Sequence, residues 1–272
     1  MTGRRSPERE AERRLRRYEE ESLMLEKRGE EFEVFEEVFD RPTLEGLYKL
    51  IRRGVIDKIY GVVKAGKEGR IYWGRDPRGA ELAVKIYYTV TGEFRQGMMK
   101  YIEGDPRFKR VRRDPRGLVY TWTQKEFKNL KLAEEAGVNV PRPIECFRNI
   151  LVMSFIGVDG VPAPLLREVE LQSPEDFYKR LIEDVRRLYL GARLVHGDLS
   201  EYNIMVWEGA PVIFDVSQAV LAAHPNAGAL LRRDIERINE YFSRLGVEIL
   251  SAEYLEVYVR GGEEELYQDS SG

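Results

Sequence analysis

Apolar positions in this chain repeat with a helical period at both ends and alternate with a period of two in between. Phe32, Val34, Phe35 and Val38 lie close together ahead of a break at Asp40-Arg41-Pro42, and Thr43–Arg53 restarts a helix that Gly54 ends. Ile59–Lys64, Arg70–Gly74 and Leu82–Tyr88 alternate and are rich in β-branched and aromatic residues, and Asp76-Pro77-Arg78-Gly79 supplies a turn between the last two. This predicts an antiparallel meander. Gln124–Ala136 has amphipathic helical spacing up to Gly137, and Pro141 and Pro143 lead into a further strand, Ile150–Phe155. Phe177, Leu181, Val185 and Leu188 give Pro174–Leu190 a helical stripe ending at Gly191. Two short β runs, Ile204–Trp207 and Val212–Phe214, precede helices expected near 228–245 and 251–259.

Two stretches stand apart. Residues 4–31 hold nine basic and nine acidic side chains, as in a solvated helix laced with i,i+4 pairs. Residues 95–116 carry eight basic and three acidic side chains among Gly97, Gly104, Pro106 and Pro115, and are expected to form a mobile basic loop, with a short helical piece around Met98–Ile102, able to contact rRNA phosphates. The implied division is a charged N-terminal helical extension over 1–58, a sheet-bearing lobe over 59–157, a helical lobe over 158–261 and a disordered tail over 262–272.

Composition narrows the class. Of the 272 residues, 43% are hydrophobic, enough for a real core, and 44 basic against 47 acidic residues leave a net charge of −3, which argues against a globally basic nucleic-acid coat. The single cysteine, Cys146, and the two histidines, His196 and His224, leave little for a thiolate or histidine metal centre. No run approaches the ~18 apolar residues of a membrane span, and no signal core opens the chain, so a cytoplasmic protein with no membrane contact is expected, with a monomer as the default.

The chemistry concentrates in His196-Gly-Asp198-Leu-Ser-Glu-Tyr-Asn203, followed by Ile213-Phe-Asp215. An Asp and an Asn five positions apart on a loop, then an Asp at a strand end, form a phosphoryl-transfer arrangement. Asp198 would take or orient the proton of an attacking hydroxyl, and Asn203 and Asp215 offer hard oxygens for Mg²⁺ on nucleotide phosphates. Lys85, in Ala-Val-Lys-Ile, suits the strand lysine that holds α and β phosphates, and Glu126 is its expected helix partner, ahead of Glu93 or Glu103. Lys64, Ala65, Gly66, Lys67, Glu68 and Gly69, between the first two strands, would cover the phosphates with backbone N–H groups. His196 is expected to pack and hydrogen-bond behind the catalytic loop.

Gly-Lys-Glu-Gly-Arg-Ile-Tyr, Ala-Val-Lys-Ile-Tyr, Leu-Val-Met-Ser-Phe-Ile-Gly, Val-His-Gly-Asp-Leu-Ser-Glu-Tyr-Asn-Ile and Phe-Asp-Val-Ser-Gln-Ala-Val occur in order between about residues 60 and 245. Together with the later His-Pro-Asn-Ala and Leu-Leu-Arg-Arg-Asp-Ile, they resemble the RIO family of atypical serine/threonine protein kinases. The short charged N-terminus favours the type-one, archaeal-like branch that lacks a winged helix. The resemblance implies an α+β, two-lobed protein-kinase-like fold with a trimmed C-terminal lobe, without activation loop or peptide-docking subdomains. It implies ATP as substrate with Mg²⁺, or Mn²⁺ in its place. Asp198 would be the catalytic aspartate, Asn203 and Asp215 the metal ligands, Lys85 the ATP-contacting lysine, and Ser154 and Ile156 the hinge positions that meet adenine. It further implies transient phosphorylation of Asp215 in an ATPase cycle, autophosphorylation on serine in many members, and work on the precursor of the small ribosomal subunit.

The chain departs from that pattern where Lys64-Ala65 replaces Ser-Thr in the phosphate loop and Ser154 replaces a hinge Glu. Residues 95–116 also contain no Ser or Thr, so Thr89, Thr91, Thr121 and Thr123 become the nearer candidates for autophosphorylation. Two alternatives stay open at this point: a small-molecule phosphotransferase of the aminoglycoside or choline type, and a non-catalytic rRNA-binding assembly factor.

Overall fold

The computed structural model describes residues 39–88, 92–108 and 114–262. The expectations for residues 1–38, for Thr89 and Thr91, and for the tail from 263 onward lie outside these residues. The chain divides into two units, Met1–Tyr48 and Lys49–Gly272. Helix α1 (Arg41–Arg52) runs across that boundary. It opens at Asp40, whose carboxylate accepts from the Thr43 amide and hydroxyl, and it closes at Gly54, which adopts φ 68°.

The second unit begins with a five-stranded antiparallel sheet in the order β1-β2-β3-β5-β4, formed by β1 (Lys58–Ala65), β2 (Gly69–Arg75), β3 (Glu81–Tyr87), β4 (Pro143–Phe147) and β5 (Ile150–Ser154). Asp76 fastens the predicted β2–β3 turn by accepting from the amides of Arg78 and Ala80. Glycine is demanded at 69: a Cβ there would stand 2.2 Å from the Ile86 carbonyl oxygen of the neighbouring strand. Strand β4 was not anticipated. Pro141 and Pro143 read as a lead-in to the next strand, but Pro143 opens β4 itself on the sheet edge, where a missing N–H costs no ladder bond.

The expected basic loop over 95–116 is largely structured. Helix α2 spans Gly92–Ile102, a 3₁₀ turn covers Pro106–Phe108, and α3 runs over Pro115–Glu135, starting nine residues before the predicted onset. Met98 and Ile102, one turn apart on α2, are buried with Leu118, Val119 and Trp122 of α3 and Tyr87 of β3 in a small second core. Asp114-Pro115 read as loop punctuation, yet Asp114 caps α3 by accepting from the Gly117 amide, and Pro115 occupies the first turn, where its missing N–H is harmless.

Past β5, a small ribbon of β6 (Gly157–Val158) and β7 (Val161–Pro162) leads to helix α4 (Pro174–Leu190), matching the predicted bounds. Short strands β8 (Leu194–Val195), β9 (Ile204–Trp207), β10 (Ala210–Ile213) and β11 (Val220–Leu221) follow, with β9 paired to β10 and β8 to β11. Helices α5 (Ala227–Arg244) and α6 (Ala252–Val259) complete the described chain. The larger core gathers Leu181 and Val185 of α4, Ile235, Ile238 and Phe242 of α5, Leu255 of α6, and Ile204 and Ile213 of the β9–β10 hairpin. That hairpin therefore presents two loops from a rigid base: the β8–β9 loop, with Asp198 and Asn203, and the turn after β10, with Asp215. Among the described residues, no helix is long and apolar enough to cross a membrane.

Candidate active site

Three chain segments converge on the Lys85 ammonium. Lys85 lies on β3, the central strand, and its Nζ is 2.9 Å from Glu126 Oε1 of α3 and 2.9 Å from Asp215 Oδ1 beyond β10. The Glu126 side chain is 1% exposed and that of Lys85 10%, whereas Asp215 keeps 38% of its side chain open to solvent. The Tyr87 hydroxyl donates to the other Glu126 oxygen. Glu126 is thus the partner the sequence suggested, although it sits mid-helix rather than at the helix start.

Electrostatics follows the burial. Desolvation works against the Lys85 charge, but Asp215 and Glu126 outweigh it and hold the lysine well above its ordinary value. Surrounding protein would raise the Asp215 carboxyl; Lys85, aided by His196 and Lys64, wins and holds it below the usual carboxylate range. Burial raises Glu126 despite Lys85. Glu68 of the β1–β2 turn is pushed up to about 7, first by desolvation and then by Asp215. Glu68 is thus within electrostatic reach of Asp215, Lys85 and Glu126.

Asp215 adopts a left-handed conformation, φ 59° and ψ 49°, which costs a non-glycine residue on the order of 1 kcal/mol. A clamp on the following turn offsets that strain. Lys125 Nζ donates to the carbonyls of Ser217 (2.8 Å) and Ala219, and Asn129 Nδ2, one turn further along α3, donates to Val216 (2.8 Å) and Ala219 (3.2 Å). The helix that presents Glu126 thereby also fixes the Asp215 turn. Sequence reading missed this clamp, because a Lys and an Asn in a helix look like solvent-facing residues.

The catalytic-type loop is tied down from behind. Asp234 of α5 accepts from the amides of Gly197 (2.7 Å) and Leu199 (2.9 Å), which straddle Asp198. His196 accepts the Asp198 amide on Nδ1 (3.3 Å), so its Nε2–H faces the Phe214 carbonyl (3.1 Å), the structural role expected of it. Asp198 itself is 39% exposed, and its Oδ1 pairs with Arg237 Nη1 at 2.7 Å. Asp234 and Arg237 were also missed, although they lie in and just after Leu-Leu-Arg-Arg-Asp-Ile, whose three-residue spacing puts both on one helix face.

The donor set suits a magnesium nucleotide. Asn203 Nδ2 donates to the Asp198 carbonyl (2.7 Å), which turns the amide oxygen the other way. Asp215 Oδ1 is engaged by Lys85 and by the Ser217 hydroxyl (3.3 Å), so Oδ2 is the oxygen left for a cation. At Gly66 an added Cβ would meet nothing of the protein nearer than the Gly69 carbonyl at 3.6 Å, so this side of the turn is open at phosphate height. Lys64 Nζ lies 5.3 Å from the Phe214 ring centroid, which brings a cation to the position where the family pattern has hydroxyls. Ala65 and Lys67 are exposed on the same turn. At the hinge, Ser154 is spent on its neighbours: its N–H donates to the Arg142 carbonyl and its hydroxyl accepts the Arg142 amide, while the Ile156 carbonyl accepts from Ala163.

Thr121 and Thr123 do not offer free hydroxyls. Both donate to carbonyls one turn back in α3, and Thr123 is fully buried. They are withdrawn as autophosphorylation candidates.

Comparison with known proteins places this geometry. The RIO domain family matches residues 70–255. The chain belongs to the RIO kinase family. It is 41% identical over 255 residues to the RIO-type serine/threonine-protein kinase Rio1 of Haloferax volcanii, covering 94% of this chain and 87% of that one. The Rio1 protein of Methanocaldococcus jannaschii is 39% identical over 86% of this chain and 80% of its own. The human serine/threonine-protein kinase RIO1 is 39% identical over 82% of this chain, which spans 40% of that longer protein. Among solved structures, the Rio2 kinase from Chaetomium thermophilum superposes with a TM-score of 0.61 at 27% identity, over 78% of this chain and 66% of that one. Its ADP/Mg²⁺-phosphoaspartate complex gives 0.59 at 24% identity, over 80% and 66%. This RIO chain has the trimmed kinase-like fold and is an ATP-dependent protein kinase of the Rio1 kind. The small-molecule phosphotransferase alternative gives way to that assignment.

Proposed function

We propose that this RIO kinase works as a Mg-ATP-dependent phosphotransferase and ATPase switch in maturation of the small ribosomal subunit. The observation that carries the reading is Lys85, at 2.9 Å from both Glu126 and Asp215. When bound, Mg²⁺ neutralises phosphate charge and screens the phosphoryl group for attack. Asn203 and Asp215 would hold it through the oxygens their neighbours leave unengaged. Lys85 contacts α and β phosphates with a charge that its two carboxylates maintain. The 64–69 turn, with Lys64 in place of the missing hydroxyls, covers the phosphates, and the Ser154 carbonyl and the Ile156 N–H, the hinge groups that the contacts to Arg142 and Ala163 do not use, receive adenine. Asp198, held in one orientation by Arg237, keeps Oδ2 free to accept the proton of an attacking hydroxyl. Asp215 is the candidate for transient phosphorylation, a chemistry found in the phosphoaspartate complex of the Rio2 relative. Cations between residues 95 and 116 would meet rRNA phosphates on the precursor particle.

The experiment is phosphate release from Mg-[γ-³²P]ATP with and without small-subunit particles, followed by acid gel analysis of the protein. Particle-stimulated release with an alkali-labile label, lost in Asp215→Asn, is expected. Asp198→Ala should lower transfer to a protein hydroxyl by at least ~10³-fold without unfolding the chain. Wild-type transfer in that variant sinks the assigned role.

A further inference from the structure

A cavity of ≈ 360 Å³ lies between α2 and the N-terminal turns of α5, and the nucleotide reading makes no use of it. Lys100 and Tyr101 of α2 form one wall; His224, Asn226, Leu230 and Arg233 form the other. Four of these side chains, Lys100, His224, Asn226 and Arg233, bear nitrogen donors, and none of the lining residues is a carboxylate. Asp105, in the adjoining hollow, is spent on Arg107, which grips it at 2.7–3.2 Å. His224 accepts the Asn226 amide on Nδ1 (3.1 Å), leaving Nε2–H as its donor. Arg233 donates through Nη2 to the Gly197 carbonyl, while its Nε is buried without a hydrogen-bond partner. The positive end of the 18-residue α5 faces the same space. Nitrogen donors with no carboxylate among the lining residues suit an anion, and the apolar surface of Tyr101 on one wall and Leu230 on the other suits the side chain that carries it.

Its place in the fold names the anion. Gly197, which Arg233 and Leu230 touch, precedes Asp198 in the chain, and a Cβ on Gly197 would lie 3.6 Å from Leu230 Cδ1. Arg233 and Arg237 sit one turn apart on α5, the first at the cavity and the second on the Asp198 carboxylate. Four helical residues rise ~6 Å, close to the ~7 Å that two residues of an extended strand cover. We propose that the cavity is a specificity subsite of the kinase that takes an acidic or phosphorylated side chain two residues from the acceptor Ser or Thr. The proposal rests on the reading of Asp198 as the group that meets the acceptor hydroxyl. A nucleic-acid backbone fits less well, because its phosphates track along an extended face, whereas here the donors gather at one half-open pocket close to the Asp198 loop. This subsite also gives His-Pro-Asn-Ala, residues 224–227, a purpose that ATP chemistry does not.

The test uses the full chain with Mg-ADP and fluorescein-labelled nine-residue peptides. Each has a central Ser and carries phosphoserine, Glu or Ala in turn at every flanking position; fluorescence anisotropy reads Kd. Phosphoserine at a position two removed from the acceptor is expected to lower Kd at least tenfold relative to Ala, with Glu intermediate. In Lys100→Glu the gain should shrink below twofold, and Lys100→Arg should retain it. Equal Kd across the series, or a preference that Lys100→Glu leaves intact, overturns the subsite. So does a flat peptide series alongside binding of a single-stranded RNA that Lys100→Glu abolishes, which would assign the face to RNA. The same peptides are then phosphorylated with Mg-ATP. If Asp198→Ala phosphorylates like the parent, the catalytic reading falls, and the Kd series still decides whether the cavity takes the anion.

Discussion

Lys85 and Lys125 are both buried lysines that serve the same site, and they have opposite acid–base character. Lys85 meets two carboxylates at 2.9 Å each and is held well above its ordinary value. Lys125 meets backbone carbonyls, and its pKa is pulled down to about 7, chiefly by desolvation and then by Arg107. The difference shows what it takes to keep a charge inside a protein. Carbonyl dipoles satisfy an ammonium's hydrogen bonds, but a full opposite charge is needed to make up for lost water. The proposed phosphate contact needs a permanent cation, and Lys85 is held as one by its two carboxylates. Holding a turn needs donors, and Lys125 supplies those.

Breaking the Lys85 side of this contrast should have the largest effect. Lys85→Met is expected to lower ATP turnover by at least ~10³-fold and, by leaving Glu126 buried without its cation, to destabilise the protein by about 3–5 kcal/mol. Adding Glu126→Leu should restore much of that stability in urea unfolding but none of the activity. If Lys85→Met alone is as stable as the parent, the pair is not the buried ion pair described here. A smaller loss is expected in Arg237→Met. Asp198 loses its orienting partner, so kcat should fall by about 10²-fold, the cost of a misplaced group, with KM for ATP within twofold. Because both side chains are about 40% exposed, stability should change by less than ~1 kcal/mol. An equal rise in KM would point instead to nucleotide binding.

Lys125 sharpens the comparison through pH. Its folded pKa lies near 7 and its unfolded value near 10.5, so between those limits the unfolded chain binds the extra proton. Stability from this group is therefore gained as pH rises from 7 to 10, by up to ~1.4 kcal/mol per unit. Lys85, raised rather than lowered, contributes no slope until pH exceeds its unfolded value. Subtracting the urea stability of Lys125→Met from that of the parent across pH 7–10 should isolate a positive slope. A flat difference would mean that Lys125 keeps its proton throughout, as Lys85 does.

Legibility in the sequence divides along similar lines. Asp198, Asn203, Asp215 and Lys85 could be found because each sits in a short local pattern whose chemistry demands that spacing. Helix α4 was placed to the residue because its apolar stripe, its opening proline and its closing glycine all agree. The 95–116 segment misled because its charge and its Asp-Pro steps suggested a loop. The short helical piece around Met98–Ile102 was legible, but the full helix over Gly92–Ile102 and its burial depend on Trp122 and Leu118 being there to receive those side chains. Glu126 was singled out because it lies at the start of the predicted amphipathic helix, a start that the structure moves back to Pro115, whereas the clamp lysine one residue before it was not.

What the amino-acid order alone determined was the set of local objects: the strands, most helices, the glycine-bearing turn between β1 and β2, and the short motifs around Lys85, Asp198 and Asp215. Each of these is encoded within a dozen or so residues, by periodicity, capping and turn chemistry. Tertiary structure alone decided which of them meet and how their charges behave. Lys85 gains Asp215 across 130 residues and Lys125 gains its carbonyls across more than 90. Arg237 reaches Asp198 from a helix 39 positions away, and the cavity beside Gly197 exists because α2 faces α5. Burial and partner charge set those outcomes, and both are properties of packing rather than of any one stretch of chain.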